Sequence, residues 1–252
     1  MRAAVDGTAD TYLYWPTRVV TYWVNDKGCA DVPIKDTLGA IKRSFFSWAG
    51  QSCTDIYFNF GGLHAKTETN LTVGDRGKPD LKNLLIWRET NWPPLGVTDG
   101  SITKEMAAAT FLTYDVDTGE IVDADIEFNG VHFWWTATND KTQAATDIQN
   151  VVTHEAGHLI GLGHAPELES TMYLQMPQAE LKKRSLHKDD ILGLCHVYPF
   201  DAETPDRKVK KVGVQGAAGC TSGGDAATPL GLLSLLILLG AITRSKRRRL
   251  NG

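Results

Sequence analysis

The sequence contains no Cys-x-x-Cys pair, and this absence removes the usual signature of thiolate zinc sites and of dithiol redox centres. Its four cysteines are also too few for a small scaffold that depends on a dense set of disulfides. Basic residues are not in excess, because the formal net charge is −4, so electrostatics gives no reason to expect a nucleic-acid partner. The 252 residues are enough for one mid-sized domain with a full core and appended segments.

Three cysteines compete for any disulfide in the main part of the chain. Cys29 and Cys53 lie on either side of one predicted helix and could pair in an oxidising compartment. Cys195 is an alternative partner, and the spacing alone does not choose between these pairings. The fourth cysteine, Cys220, lies in a stretch rich in Gly, Ala and Ser nearer the C-terminus.

Residues 1–11 are expected to form an N-terminal segment ahead of the main domain. The first nine residues lack the basic start and apolar run of a secretory signal peptide, which alone would indicate a cytosolic protein. The C-terminal part of the chain carries features of exported proteins. We therefore expect that the natural start is truncated or misassigned in this sequence.

Hydrophobic periodicity predicts the secondary structure on both sides of a central histidine-rich stretch. Alternation predicts a strand over 17–25, and apolar spacings of four and three predict a helix over 34–48 that ends at Gly50. Further strands are predicted at 56–60, 84–87, 107–114 and 121–128, and a last helix at 188–198. Several strands between two long helices, followed by a final helix, indicate an α+β domain.

One stretch of the chain carries three histidines and a glutamate in a spacing typical of catalytic zinc sites. His154 and His158 are four residues apart, so on a helix both imidazoles lie on one face and can bind the same ion. Glu155 lies on the same turn, close enough to act on a water at the metal rather than as a ligand. Gly161 lets the chain leave the helix through a left-handed conformation, so that His164 can return as the third ligand.

Three protein ligands with an open fourth position are the catalytic form of a zinc site, whereas structural sites are closed by four ligands. The alternative is a helix whose histidines fall at this spacing by chance. Because the pattern His-Glu-x-x-His-x-x-Gly-x-x-His is present at all five fixed positions, chance is the weaker explanation. The helix that carries it is predicted to begin near Asp140 or Thr142, either of which could cap it.

The composition changes after the last predicted helix. Residues 201–228 are rich in Gly, Ala, Ser and Thr without periodicity, which predicts a flexible linker. Residues 229–252 combine an apolar run with a basic end, a pattern typical of a transmembrane span whose C-terminus stays in the cytoplasm. The alternative, a buried helix of the main domain, agrees less well with the linker before the run and the basic residues after it.

The motif and its surroundings resemble the matrixin branch of the metzincins over residues 12–200. Residues 170–173 are similar to the family's Met-turn, which would place Met172 beneath the metal. The pattern of the family's last helix is present in Leu186, Asp189, Asp190, Ile191, Gly193 and Tyr198. In the family, the aspartate matched by Asp189 can bind the mature N-terminal ammonium, and the one matched by Asp190 ties the helix to the Met-turn. The resemblance implies a zincin-like fold with a twisted mixed sheet and two long helices.

The resemblance also implies where substrate and further ions would bind. Residues 124–129 are similar to the upper-rim strand that pairs with substrate. Glu127 stands where animal matrixins have a histidine for a structural zinc, so we expect one catalytic zinc ion and no second. Calcium is common in the family, and the carboxylates that could supply its oxygens are those of Asp99, Asp115, Asp117 and Asp125, although such residues are often simply solvated. The Pro-x-Tyr wall of the specificity pocket has no clear match around 176–178.

A second resemblance, over residues 219–249, is to MYXO-CTERM sorting tails. The sequence Gly219-Cys220, the apolar run 230–242 and the Arg-rich end at 244–249 occur in the order of that pattern. The resemblance implies that Cys220 is a processing or lipid-attachment point. The alternative is that Cys220 is a linker cysteine without a specific role.

Together these features predict an exported zinc endopeptidase that hydrolyses protein or peptide substrates with metal-activated water. Its catalytic domain would be tethered at the cell surface by the tail, or released when the tail is processed. The alternative function is a non-catalytic, zinc-stabilised surface domain for binding or adhesion. Such a domain would normally lose the glutamate of the motif, and Glu155 is retained.

Overall fold

The computed structural model describes residues 2–4, 11–67, 69, 81–93, 102–139 and 145–205, together with the backbone of residues 231–236. In chain order the elements are β1 (Val19–Asn25), α1 (Ile34–Ala49), β2 (Tyr57–His64), β3 (Asn83–Arg88), β4 (Ala108–Tyr114), β5 (Ile121–Asn129), β6 (Trp135–Thr136), β7 (Thr146–Asp147), α2 (Ile148–Leu159), a short 3-10 helix (Lys182–Arg184), α3 (Lys188–Val197) and β8 (Gly231–Leu236).

Six of these strands form one mixed sheet in the order β2-β1-β3-β5-β4-β8. The pairs β1–β2, β1–β3 and β3–β5 are parallel, whereas β4 is antiparallel to both of its neighbours. On β1 the residues Val20, Tyr22 and Val24 are buried, as the alternation in the sequence predicted. The mixed sheet implied by the resemblance is therefore present.

The helix α1 packs its apolar face between the sheet and α2. The Phe45 ring stacks on Tyr22 of β1, with 4.1 Å between the ring centroids. On the side facing α2, the Trp48 indole Nε1 donates a 2.8 Å hydrogen bond to the Thr153 carbonyl. The Ser44 hydroxyl donates to a second α2 carbonyl, that of Gln149, at 3.0 Å. These two bonds fix α2 relative to α1, which itself packs on the sheet. The first of them is made one residue before the first histidine of the motif.

The start of α2 differs from the sequence prediction. The helix begins at Ile148, with Asp147 as the N-cap whose Oδ1 accepts from the Asn150 backbone N–H at 2.7 Å. Strand β7 pairs with β6 immediately before this cap and keeps the chain extended. The predicted start near Asp140 or Thr142 is therefore wrong, and both of those residues lie outside the described part of the chain.

The disulfide also differs from the first pairing considered. Cys53 is bonded to Cys195 of α3, with 5.5 Å between their Cα atoms, and Cys29 is buried and free. The reason is the length of α1. Its 16 residues extend about 24 Å at 1.5 Å per residue, so the cysteines that flank it lie near opposite ends. The pairing of Cys29 with Cys53 is therefore wrong, and Cys195 is the partner.

The described part of the apolar C-terminal run is a strand rather than a helix. Residues Gly231–Leu236 form β8, which pairs antiparallel with β4. Within the described ranges no helix has the length and apolar character needed to cross a membrane. The linker from residue 206 onward, including Cys220, and the basic end at 244–249 lie outside those ranges.

The predicted upper-rim strand is an interior strand of the sheet. Residues 124–129 belong to β5, which is hydrogen-bonded to β3 on one side and to β4 on the other. A strand with two neighbours has no free backbone edge to offer an extended peptide. The prediction that 124–129 pair with substrate is therefore wrong. Beyond β5 the next strand is β4, whose outer edge carries β8.

Candidate metal centre

Helix α2 places two histidines of the motif side by side in the interior. His154 and His158 are both fully buried, and their ring centroids lie 4.7 Å apart. The four-residue spacing gives this arrangement directly, because side chains at i and i+4 lie on one face of a helix. The rings are nearly perpendicular, so the two imidazoles can present nitrogen atoms to a common point.

A tight turn after α2 returns the third histidine to the first two. Gly161 has φ of +83°, a conformation that favours glycine, and a Cβ at this position would collide with the Leu13 carbonyl oxygen. The turn brings His164 back so that its Nε2 lies 3.2 Å from the Nε2 of His158. The ligand atoms of all three histidines lie within 4.8 Å of one another.

The backbone fixes the orientation of two of the rings. His154 Nδ1 lies 2.6 Å from the Thr171 carbonyl oxygen, and His158 Nδ1 lies 2.8 Å from that of Leu162. Because a carbonyl can only accept a hydrogen bond, both Nδ1 atoms carry the proton and both Nε2 atoms keep a free lone pair. This is the tautomer that an imidazole needs to bind a metal through Nε2.

The environment keeps the three imidazoles neutral. Burial lowers the pKa of His154 and of His158 well below the ordinary value for histidine. Burial likewise lowers the pKa of His164 to about 4, and the nearby charge of Lys183 acts in the same direction. Neutral imidazole is the metal-binding form, so the site is prepared for a cation at neutral pH.

The unpaired nitrogen atoms fit a zinc ion. His154 Nε2 is buried and makes no hydrogen bond with any described residue. Two imidazole nitrogens on one tetrahedral zinc ion lie about 3.3 Å apart, given Zn–N distances of about 2.0–2.1 Å. The 3.2 Å between the Nε2 atoms of His158 and His164 agrees with that separation. Among the described residues the cluster consists of three imidazoles without a fourth protein ligand, which is the donor set of a catalytic zinc site.

The glutamate of the motif lies in the same interior and does not belong to the ligand cluster. Glu155 Oε2 accepts a 2.6 Å hydrogen bond from the Thr110 hydroxyl on β4, whereas Oε1 is buried with no partner among the described residues. Burial raises the pKa of Glu155 to about 8, and the Thr110 hydrogen bond opposes this shift. A cation held by the histidines would also favour the ionised carboxylate.

The Met-turn packs directly against the motif helix. A Cβ added to Gly157 would collide with Met172 Sδ, which shows how closely this methionine approaches α2 between its two histidines. The turn is held by Asp190 of α3, whose carboxylate accepts from the Thr171 backbone N–H at 2.7 Å and the Met172 backbone N–H at 3.1 Å. The Ser170 hydroxyl donates to the same carboxylate. Asp190 thus makes the contacts that the resemblance implied.

A lysine that sequence reasoning did not identify lies behind the histidines. The Lys183 side chain is buried, and its ammonium donates to the carbonyls of Thr171 and Tyr173, one on each side of Met172. Burial lowers the pKa of Lys183 to about 8, while the Glu180 carboxylate opposes the shift. The ammonium therefore holds the Met-turn by its carbonyls, whereas Asp190 holds it by its backbone N–H groups.

No second metal site accompanies the histidines in the described part of the chain. Glu127 forms a 2.6 Å ion pair with the Arg88 guanidinium at the position where a structural zinc was considered. Asp115 Oδ1 accepts from the backbone N–H groups of the turn that follows it, and Asp125 Oδ1 accepts from the Leu84 backbone N–H. The expected calcium site gains no support from these contacts. A further candidate ligand, Asp99, lies outside the described residues.

The structure brings most of the predicted site residues together. The three histidines converge on one point, Glu155 lies between two of them on α2, and Met172 packs against that helix at Gly157. Asp190 supports this arrangement through the Met-turn. Asp189 lies in the first turn of α3, and the N-terminal ammonium expected to bind it is outside the described residues. Sequence reasoning missed Thr110, because nothing in the pattern of a buried strand marks one threonine as the partner of a glutamate in a distant helix.

Comparison with known proteins identifies the same region. The matrixin family profile matches residues 98–199, which include β4, β5, α2, the Met-turn and α3 but less than half of the chain. Metalloendoproteinase 1 of Glycine max is 39% identical over 69 residues, which are 26% of this chain and 22% of the relative.

Two vertebrate proteins are similar over a somewhat longer part of the chain. Stromelysin-1 of Mus musculus is 30% identical over 98 residues, or 38% of this chain and 20% of the relative. Matrilysin of Rattus norvegicus is 32% identical over 80 residues, or 32% of this chain and 28% of the relative. The chain spans less than a third of the length of each of these three relatives. Residues 98–199, with the histidine cluster among them, are therefore the part of the chain that is similar to the matrixin family.

Proposed function

We propose that this protein is a zinc-dependent endopeptidase that hydrolyses protein or peptide substrates. The single observation that carries the proposal is the convergence of three neutral imidazoles beside a buried carboxylate. His154, His158 and His164 can hold one ion, and Glu155 Oε1 is left without a hydrogen-bond partner among the described residues. This is the arrangement of a hydrolytic site rather than of a closed structural one.

Each group has a separate task in the proposed reaction. A zinc ion held by the three histidines would supply a Lewis acid that polarises the scissile carbonyl and makes a neighbouring water more acidic. Glu155 Oε1 accepts the proton of the attacking water, and the same carboxyl group then gives a proton to the leaving amine. Thr110 holds Oε2 at 2.6 Å and so fixes the direction of the other oxygen.

Cleavage within chains, rather than removal of terminal residues, is supported by two observations. The matrixin family profile matches the segment that contains the motif, and one of the related proteins named above is a metalloendoproteinase by name. In addition, Thr110 lies on β4, the strand that borders β8 in the sheet. We propose that an extended substrate runs along β4 in place of β8, because backbone pairing there would bring the peptide past Glu155.

The second candidate function is a zinc-stabilised binding or adhesion domain without catalysis. It would need the histidines but would have no use for the unpartnered oxygen of Glu155, which carries a desolvation cost in a buried site. The retained glutamate and its hydrogen bond from Thr110 favour the enzyme.

The test is hydrolysis by the purified chain. We expect it to cleave casein and a quenched fluorescent peptide library, and mass spectrometry of the products should locate cleavage at internal bonds. Chelation should abolish cleavage, and one equivalent of zinc should restore it. A protein that binds one zinc ion tightly but cleaves none of these substrates would instead be the binding domain.

We further propose export and attachment through the C-terminal tail. The support is in the sequence, where the apolar run 230–242 is followed by the Arg-rich end 244–249, which cannot readily cross a bilayer. Pairing of residues 231–236 with β4 and insertion of the same residues in a membrane are mutually exclusive placements. Mass spectrometry of the mature protein from its native cells tests this. A chain that ends near Cys220 supports tail processing, and an intact end at Gly252 excludes it.

A further inference from the structure

The last carbonyls of α2 accept hydrogen bonds from three distant parts of the chain. The final carbonyls of a helix lack partners within the helix and need donors from elsewhere. Here the carbonyl of residue 159 accepts from the Trp15 indole Nε1 at 2.8 Å. The carbonyl of residue 160 accepts from the Tyr198 hydroxyl at 2.9 Å, and that of residue 161 from the Ala3 backbone N–H at 2.9 Å. The end of the motif helix is therefore held from outside by the side chains of Trp15 and of Tyr198, the C-cap of α3, and by the backbone of Ala3.

Two of these donors are linked to each other. The Tyr198 hydroxyl accepts a 2.9 Å hydrogen bond from the Trp15 backbone N–H while it donates to the Ile160 carbonyl. Tyr198 is fully buried and Trp15 is 7% exposed, so water does not replace either partner. Burial also raises the pKa of the Tyr198 hydroxyl above its usual range, which keeps it protonated as a donor. Trp15 and Tyr198 thus form one unit that holds two successive carbonyls.

In the sequence, the carbonyls of residues 159–161 lie between His158 and His164, two of the predicted metal ligands. The next carbonyl in the chain, that of Leu162, accepts from His158 Nδ1 at 2.8 Å and sets the orientation of that ring. The Leu162 backbone N–H in turn donates to the Gly157 carbonyl at 2.9 Å. His164 follows two residues later. A shift of the turn would therefore move the carbonyl that orients His158 and the backbone that carries His164 at the same time.

We propose that Trp15 and Tyr198 are positioning residues of the metal centre. They hold the turn at residues 159–162 so that the Nε2 atoms of His158 and His164 converge at the 3.2 Å separation that zinc needs. Neither residue touches the reacting atoms, and both act through the backbone of this turn. The inference rests on the proposed function only in that the same histidines bind the ion.

The test removes the Tyr198 hydroxyl alone and measures metal binding. In the full-length protein, Tyr198→Phe should raise the zinc dissociation constant about tenfold, the lower end of what the loss of a supporting contact around a metal site costs. The visible absorption of the cobalt-substituted protein should change in intensity, because that spectrum reports the ligand geometry. If Tyr198→Phe does not fold, Trp15→Phe removes the second donor and should shift the same two readouts.

Tyr14→Phe is the matched control. Tyr14 is as deeply buried as Tyr198, and its hydroxyl donates to Glu120 Oε1 at 3.3 Å, outside the turn. The Tyr14→Phe variant should have a lower thermal midpoint but the same zinc affinity and cobalt spectrum as the wild type. The inference is overturned if Tyr198→Phe lowers only the thermal midpoint and leaves both metal readouts as in the wild type. Because these readouts need no substrate, they remain decisive even if the protein proves to hydrolyse nothing.

Discussion

At the scale of single residues, the two oxygens of Glu155 have different surroundings. One accepts from the Thr110 hydroxyl, and the other is buried without a partner among the described residues. A carboxylate that is anchored on one side and free on the other can exchange a proton without rotating away. In the proposed reaction, the hydrogen bond from Thr110 would therefore serve catalysis as well as structure.

Replacement of Thr110 by Val tests this contact, because valine keeps the shape and removes the hydroxyl. A hydrogen bond to a charged group contributes about 1.5–3 kcal/mol, so we expect kcat for peptide hydrolysis to fall by roughly tenfold or more, with zinc content unchanged. Thr113→Val is the control, since Thr113 is buried on the same strand and three residues further along. Equal kcat values for the two variants would refute the role given to Thr110.

Gly157 shows how closely the Met-turn approaches the motif helix. A Cβ at this position would collide with Met172 Sδ and would lie 2.9 Å from Trp48 Cζ2. We predict that Gly157→Ala lowers the free energy of unfolding by about 1–3 kcal/mol, because overpacking outweighs the gain in helix propensity. Chemical denaturation measures the change.

Gly39→Ala in α1 is the control substitution for Gly157→Ala. There the added Cβ would meet only the flexible end of the Arg43 side chain, at 3.3 Å. That substitution should be neutral or should stabilise the protein by up to about 1 kcal/mol. If both substitutions stabilise the protein, the close approach of Met172 to α2 is not a constraint on this helix.

At the scale of elements, α3 is connected to the metal centre through Asp190. Its carboxylate accepts from three donors in the Met-turn and also from the His187 backbone N–H at 2.8 Å. We predict that Asp190→Ala lowers the free energy of unfolding by about 1–3 kcal/mol, because buried donors lose their acceptor. The neighbouring Asp189→Ala should cost only a few tenths of a kcal/mol through the helix dipole. A thermal midpoint for Asp190→Ala equal to that of the wild type would argue against this connection.

The elements of the fold follow largely from local hydrophobic patterns. The predicted helices over 34–48 and 188–198 agree with α1 and α3 to within a residue, because an amphipathic face spaced by three and four residues has few other ways to be buried. The strands predicted at 84–87, 107–114 and 121–128 agree similarly, whereas β1 begins two residues later than predicted and β2 extends four residues further. Alternation identifies the residues that face the core but not where a strand ends. The start of α2 could not be predicted from local hydrophobic patterns. It depends on the pairing of β7 with β6, a contact between residues about ten apart that leaves no periodic signal.

The ligands of the metal centre could be predicted from the sequence, but the residues that hold those ligands in place could not. A single helix and one turn place all three histidines, so local spacing contains the information. Thr110, Trp15 and Lys183 reach the centre from β4, from the chain just before β1 and from the 3-10 helix. Only the assembled chain brings them together. The disulfide belongs to the same class, because the choice of Cys195 over Cys29 depended on where α3 packs.

At the scale of the whole molecule, the buried histidines couple folding to pH. In the metal-free folded protein their pKa values lie below the ordinary 6.5, with His164 at about 4. At these three groups the unfolded chain therefore binds more protons than the folded one, and their contribution to stability falls as the pH falls through this window. Burial raises the pKa of Glu155 to about 8, so this carboxyl acts in the opposite direction, but it is one group against three. We predict a decrease in the free energy of unfolding of the metal-free protein from about pH 6.5 towards pH 4.

Urea denaturation across this range measures the decrease, and His158→Phe provides the comparison. That variant keeps a ring of similar size at the position and removes one of the titrating groups, so its pH profile should be flatter. A metal-free wild type whose stability does not change between pH 6.5 and pH 4 would show that these histidines are not held neutral in the folded state.

The central claim is that Glu155 moves protons at a metal held by the three histidines, and Glu155→Gln tests it most directly. Glutamine keeps the size of the side chain and a hydrogen-bond acceptor for Thr110, but it cannot take a proton from water. We predict that peptide hydrolysis falls by about 10²–10⁴-fold, the usual contribution of general acid–base catalysis, while bound zinc stays near one equivalent. Hydrolysis at close to the wild-type rate, with zinc bound, would contradict the account.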